Sequence, residues 1–264
     1  MWMILSMIMR KTLILMMSDK SLIHPKWDVP SHIKAIQTSR LSGVSKHSYS
    51  SFNLSYSVGD DPELVSQNLA LLRANLPSEI NWLNQIHENK VVQLPHTGNI
   101  ITADASYTKK KEIVCAVRTA DCLPILLTDQ EGSFVSAIHA GWRSLASGII
   151  ENTLIAIKSK YQIIAWLGPS ISQDYYEVGQ EVFDIFKKYD SMSVLGFESA
   201  PNNKYWLSLT KIAMHKLAKI GVKKIFGSGL DESFCTFKNK DQFYSHRRDG
   251  VTGRMASLIW MDID

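Results

Sequence analysis

Cys122 and His139 are the residues in this chain whose types and spacing point most directly to chemistry. They bracket the segment TADCLPILLTDQEGSFVSAIHAGWR, residues 119–143, in which two apolar runs flank the polar tetrad Asp129-Gln130-Glu131-Gly132. Such a tetrad ending in Gly reads as a hairpin loop. A four-residue loop pairs Thr128 with Ser133, and the same register sets Cys122 opposite His139. Directly opposed residues carry their Cβ atoms about 4.5–5.5 Å apart, close enough for both side chains to meet one ion or each other. A thiolate beside an imidazole is a nucleophile with its base, or equally two ligands of Zn2+. The plain alternative is a buried cysteine acting as a small hydrophobe beside a core histidine. Both residues end their strands next to polar tight-turn segments, Thr119-Ala120-Asp121 and Ala140-Gly141-Trp142-Arg143. That context favours the chemical readings.

Other residues fit around this pair. Asp121 is placed to order a ligand or shuttle a proton, or simply to cap a turn. The turn 140–143 feeds a helix starting near Ser144, so free N–H groups, a positive helix end and Arg143 are expected near His139, suited to phosphate or carboxylate. Arg247-Arg248, in a Gly-bounded loop, are able to clamp an oxyanion bidentately or to form an ordinary solvated surface. A three-ligand metal site needs one more donor. His87, at the mouth of a strand, is the best placed, while His24, His32, His47, His96 and His246 compete on spacing alone. His215 lies within an amphipathic helical pattern and reads as structural.

The elements that must position these groups are predicted from apolar periodicity. The spacing gives a helix over Pro62–Leu76, strands at Val91–Leu94, Ile113–Arg118, Pro124–Thr128 and Phe134–Ile138, and a helix from about Ser144 to Lys160. A strand Ile163–Leu167, helices Gln180–Tyr189 and Tyr205–Ile220, and strands Lys224–Gly227 and Met255–Trp260 complete the pattern. Gly221 marks the end of the last helix. Strands alternating with helices, but including hairpins, predict a single compact α/β domain with a mixed β-sheet and flanking helices. No Pro/Gly/Ser linker divides the chain, and residues 43–59, rich in Ser and Tyr, read as irregular.

Composition bounds the function classes. The 264 residues are 45% hydrophobic and 20% charged, with a formal charge of +4, which is ordinary for a globular protein. That excess is too small for a nucleic-acid binder, despite the local run Lys109-Lys110-Lys111. The cysteines, Cys115, Cys122 and Cys235, are too few for a disulfide framework and point to a reducing, cytoplasmic setting. Six of the ten methionines fall within residues 1–17, where Arg10 and Lys11 interrupt the apolar run. The uninterrupted runs are far shorter than the roughly 20 residues that span a bilayer. Residues 1–16 are therefore expected to be a spurious or disordered extension before a domain over 17–264, with a membrane-surface anchor as the rival reading.

The segments QIHENKVV, ADASYT, TADCLPILL, AIHAGWRSLASGII, WLGPSISQDYYEVGQEV and FYSHRRDGVTGRMASLIW, in this order, resemble the successive signatures of the YfiH-like, or laccase-domain, family. TSRLSGVS and FNLSYSVGDDPELV upstream also fit, so the resemblance runs from about Thr38 to Trp260. It implies a compact α/β fold shared with some cysteine hydrolases, and a metal site, usually Zn2+, held by His87, Cys122 and His139. Three protein ligands with an open fourth position suit a catalytic rather than a structural zinc. The resemblance further implies phosphorolysis of adenosine, inosine, guanosine and methylthioadenosine, and deamination of adenosine. The substrates would be purine nucleosides and phosphate, handled by a monomer or weak homo-oligomer with no nucleic-acid or membrane partner. Older descriptions of the family as polyphenol oxidases imply copper, yet the chain has no His-x-His unit of the kind a multicopper oxidase repeats. Its single His2Cys set is compatible with adventitious Cu2+ in vitro. The sequence departs from the family pattern at Leu41-Ser42-Gly43, Ser55-Tyr56-Ser57 and Ser208. On this reading Cys122, His139 and Asp121 serve catalysis, and Arg143, Arg247 and Arg248 serve phosphate. The other enzymatic reading is a cysteine amidohydrolase acting on cell-wall precursors, with Cys122 as nucleophile and His139 as base. A non-enzymatic metal-holding module comes last.

Overall fold

Long apolar strands set the architecture. The computed structural model describes residues 21–96, 101–228 and 232–263, and the extension expected over residues 1–16 lies outside them. Strands β1 (Leu22–Ile23) and β2 (Ile33–Thr38) precede helix α1 (Pro62–Arg73). Then come β3 (Ile80–Asn81), β4 (Leu83–Asn84), β5 (Val91–Gln93), β6 (Ile101–Thr102), β7 (Ala105–Thr108), β8 (Val114–Thr119), β9 (Leu123–Asp129) and β10 (Val135–Ala140). Helices α2 (Trp142–Ala146) and α3 (Ile149–Ile157) lead to β11 (Ile163–Leu167), β12 (Glu177–Val178) and α4 (Gln180–Tyr189). The chain ends with β13 (Phe197–Ala200), β14 (Lys204–Leu207), α5 (Leu209–Lys219), β15 (Lys224–Gly227), α6 (His246–Asp249) and β16 (Met255–Met261).

Two large sheets form, in the orders β1-β2-β16-β8-β3 and β15-β11-β9-β10-β7-β5. Pairing is mostly antiparallel, with parallel contacts β3/β8, β5/β7 and β11/β15, so the sheets are mixed as expected. Strands β9 and β10 are buried along their whole length because they are covered on both faces. Leu123, Ile125, Leu127 and Ile138 point to a core shared with Leu145, Ile149, Phe186 and Leu217 of the helices. On the other face, Leu126, Val135, Ala137 and Trp166 meet Ala35, Cys115, Val117 and Ile259 of the first sheet. The outer face of that first sheet is covered by Leu71 and Leu72 of α1 against Ile36, Val114, Ala116 and Leu258. The layers thus run helix, sheet, sheet, helices. Full burial of each such apolar side chain stabilises by about 1.5–3 kcal/mol.

Three expectations are corrected. The hairpin pairs Thr128 with Val135, so the register lies two residues from the predicted one and His139 stands opposite Pro124. The longer loop is organised by Asp129, whose Oδ1 accepts the N–H groups of Glu131 and Ser133. Because side chains alternate with period two, a shift of two keeps Cys122 and His139 on one face. The helix predicted over Ser144–Lys160 is two helices, broken where Gly148 takes φ +89°. The single turn of α2 leaves no extended helix whose N-terminus would hold an anion beside His139. Of the helix predicted over Tyr205–Ile220, Tyr205 to Leu207 pair as a strand with β13. Helix α5 starts only after Ser208, whose hydroxyl caps the N–H of Lys211; this is the role an Asp also fills at an N-cap. The turn after it uses Gly221 at φ +88°.

The irregular segment 43–60 is tied down from α1. Asn68 accepts the N–H of Val44 and donates to Ser45 Oγ and the carbonyls of Ser51 and Asn53. Asn68→Ala leaves buried polar groups without partners at about 1–3 kcal/mol each. We expect chemical denaturation to show a loss of about 3 kcal/mol with an unchanged m-value.

Candidate metal centre

Asp104, at the entrance of β7, has no solvent exposure. Its carboxylate accepts the N–H groups of Ile86 at 3.2 Å, His87 at 2.9 Å and Glu88 at 2.8 Å. It also accepts Nδ1–H of His139 at 2.8 Å, while the N–H of His139 donates to the Asp104 carbonyl at 2.7 Å. Burial pushes the acid up, but the His139 hydrogen bond and the backbone donors outweigh it and hold it below the usual carboxylate range. The bond to Nδ1 fixes the His139 tautomer, leaving Nε2 free, as a carboxylate does for a metal-bound histidine. The same wrapping bends His87 into the left-handed region at φ +61°.

Cys122 lies where the chain crosses from β8 in one sheet to β9 in the other. Asp121 makes the crossing at φ +92°. Its carboxylate accepts the Thr236 hydroxyl and the Arg247 N–H, each at 2.6 Å, and its carbonyl accepts the N–H of Ile171 at 3.0 Å. Asp121 is therefore engaged in clamping three segments behind Cys122. Cys122 Sγ is 4.0 Å from His87 Nε2, and the His87 and His139 rings meet edge to face at 4.7 Å. One donor atom from each of His87, Cys122 and His139 lies within 4.8 Å of the others. Gly141 leaves the necessary room, since a Cβ there would stand 3.1 Å from Cys122 Sγ and 3.2 Å from His87 Cδ2. Two imidazoles and a thiolate, graded from exposed His87 to buried His139, fit a zinc ion with one open position. In the metal-free protein, burial would raise the Cys122 thiol, but the His139 charge and hydrogen bonds from both histidines bring it down to about 6. Burial would lower His139, but the thiolate and Asp104 raise it to about 9.

A cavity of about 340 Å³ opens over this cluster, within the usual range for small-molecule sites. Ser55, Ser57, Arg118, Thr119, His246 and Arg254 line it beside the three ligands. The arginines expected to hold phosphate do not line it. Arg248 spends its guanidinium on the carbonyls of Thr236, Phe237 and Phe243 and on Asp249. Arg247 donates to the Glu177 carbonyl and lies over the Tyr176 ring, and Arg143 is exposed over Trp142. Of the competing histidines, His246 reaches the cavity wall, while His215, carried by α5, places Nε2 3.5 Å from Asp190 at the end of α4. Sequence reasoning missed Asp104, Arg118 and Arg254. A signal existed for the first two: an acid heading the apolar segment ADASYT, and an arginine inside the apolar strand VCAVRT.

A sequence model of the family described as multi-copper polyphenol oxidoreductase laccase matches residues 34–262. The chain belongs to this family. It is 42% identical over 245 residues to a purine nucleoside phosphorylase of Haemophilus influenzae, covering 91% of this chain and 99% of that protein. It is 41% identical over 246 residues to purine nucleoside phosphorylase YfiH of Escherichia coli K12, covering 91% and 98%. A crystal structure of a Neisseria meningitidis protein superposes with a TM-score of 0.88 at 41% identity, covering 92% of this chain and all of that one. Thus the family read from TADC and HAGWR is the one that residues 34–262 match.

Two outcomes follow from the Asp104 arrangement. Asp104→Asn removes the charge behind His139 and should weaken zinc binding about 10- to 100-fold, measured by competition with a chelating dye. In chelator-treated protein, Cys122 alkylation by iodoacetamide should be half-maximal near pH 6, with Cys122→Ser as the blank.

Proposed function

We propose that this chain is a zinc-dependent purine nucleoside phosphorylase acting on adenosine, inosine, guanosine and methylthioadenosine, with adenosine deaminase activity. The observation that carries the reading is the likeness over 91% of the chain to proteins named purine nucleoside phosphorylase. The arrangement of His87, Cys122 and His139 at the floor of a nucleoside-sized cavity supports it. In phosphorolysis a phosphate oxygen bonds to the anomeric carbon as the glycosidic C–N bond breaks. The bonding pair leaves with the purine, which takes up a proton. A zinc ion held by His87, Cys122 and His139 would supply Lewis-acid polarisation, and near-neutral activation of water for the deamination. Asp104 keeps Nδ1 of His139 protonated and its Nε2 turned to the cluster. His246 on the cavity wall places Nδ1 2.7 Å from the Gly250 carbonyl, which leaves Nε2 to exchange a proton with the departing base.

A second reading has its own observation. Asp104, His139 and Cys122 stand in the order of an orienting acid, a base and a thiol, with the thiol brought down to about 6. That supports a cysteine amidohydrolase with Cys122 as nucleophile. Copper oxidase chemistry has less support, because among the described residues one His/Cys cluster is present where multicopper catalysis needs several centres.

The deciding measurement is zinc content together with phosphate-dependent release of base from adenosine and inosine. About one zinc per chain, with release lost on chelation and in Cys122→Ala and restored by zinc, is the expected result. Base release that survives chelation but not thiol alkylation would make Cys122 a nucleophile in place of a metal ligand, and no base release at all would leave the amidohydrolase as the reading to test.

A further inference from the structure

Arg118 and Arg254 face one cavity, and among the described residues no carboxylate forms a direct ion pair with either. Arg118 is anchored by the carbonyls of Leu54 at 3.4 Å and Leu83 at 3.3 Å, and its guanidinium lies 4.8 Å from the centre of the Trp82 ring. Arg254 is anchored by the carbonyls of Thr252 at 2.9 Å and Gly253 at 3.0 Å. Its N–H is held by Asn53, which in turn donates to Asp60. Neither guanidinium pairs with a carboxylate among the described residues. The two lie close enough that, beyond the larger effect of burial, the charge of Arg254 lowers the pKa of Arg118. Burial works against the Arg254 cation, and the charges of Cys122 and Asp121 only partly offset it; the groups that touch the two guanidinium groups are neutral, so an anion joining two half-buried like charges would stabilise both.

A second observation points into the same space. Thr119, 2% exposed, lines the cavity between Arg118 and the Cys122 turn, and its hydroxyl has no hydrogen-bond partner. Buried hydroxyls are rarely left unpaired without a ligand or water to meet them. Ser55 and Ser57, bonded to each other at 3.0 Å, add further hydroxyls to the same wall.

We propose that Arg118, Arg254 and Thr119 form the subsite for inorganic phosphate, next to the His87–Cys122–His139 cluster. The inference rests on the phosphorolysis reading of this cavity and names the residues that hold its second substrate. Two guanidinium groups match a phosphate dianion in charge and in bidentate geometry, and the Thr119 hydroxyl supplies a third donor. The site displaces the phosphate role from Arg143, Arg247 and Arg248, whose guanidinium groups lie outside the cavity lining.

The test uses the metal-loaded protein and two readouts: steady-state KM for phosphate and for inosine, and calorimetric titration with inorganic phosphate alone. Arg118→Gln and Arg254→Gln should each raise the phosphate KM about tenfold or more, and Thr119→Val less. Inosine KM and zinc content should change less than about twofold, a split that general structural damage would not produce. Arg254→Lys keeps the charge and should recover part of the loss. It also carries the test, with Thr119→Val, if Arg118→Gln fails to fold. Wild-type phosphorolysis with an unchanged phosphate KM in the Arg254 variants would overturn the subsite while leaving the function standing, most pointedly if Arg143→Gln or Arg247→Gln raised it instead. Phosphate bound by the wild type and lost in Arg254→Gln, without any base release, would uphold the subsite and sink the phosphorolysis. Phosphate bound by neither protein overturns the subsite.

Discussion

A buried carboxylate with four N–H donors holds the centre of this molecule together. Taking Asp104 out of water costs several kcal/mol, and this is offset only where every lone pair is met. Three successive backbone N–H groups of the 86–88 loop and the ring of His139 meet them. One charge therefore ties the connection after β4, the head of β7 and the tail of β10 into a single arrangement. Two of the three proposed ligands hang from it directly. Moving Asp104 would misplace His87 through its backbone and His139 through its side chain.

Cys122 is positioned independently, by topology. Strand β8 belongs to one sheet and β9 to the other, and only three residues make the crossing. So short a link requires the left-handed conformation at Asp121, which costs about 1–3 kcal/mol for a residue other than Gly. The clamp on Thr236, Arg247 and Ile171 holds it there. The sheets part at this edge, so the thiol projects into the opening between them. The same opening exposes Arg118 at the end of β8 and Arg254 just before β16, adjacent strands of one sheet.

How much of this was readable beforehand depends on what each residue answers to. That Cys122 and His139 share a face was readable because strand alternation survives a two-residue error in register, whereas an odd error would have separated them. The strand Ile163–Leu167 and the helix Gln180–Tyr189 were readable to their ends, since local periodicity and flanking breakers define both. The break at Gly148 was not, because an apolar run on either side of one glycine has the same period as a continuous helix. Strand β14 was lost in a helical pattern for a similar reason: Tyr205, Trp206 and Leu207 run straight into the apolar residues of α5, and their pairing with β13 and β12 leaves no local period of its own. Asp104, Arg118 and Arg254 are charges whose meaning comes from burial. Sequence shows the charge but not the burial, while the pair Arg247-Arg248 draws attention by adjacency alone.

The two enzymatic readings share Asp104, His139 and Cys122, so the residue that separates them is His87. A thiol nucleophile with its base and orienting acid has no use for a second imidazole 4.0 Å from the sulfur. Yet the chain keeps His87 in a left-handed conformation, at a cost of about 1–2 kcal/mol, with its N–H fixed on the buried acid. The missing side chain at Gly141 keeps open the gap between this imidazole and the sulfur. A metal would account for all three features together, because an ion would draw a thiolate and two imidazoles into a convergence that none would adopt for the others alone. The lowered Cys122 thiol fits this reading as well as it fits a nucleophile, because a cation also binds the thiolate.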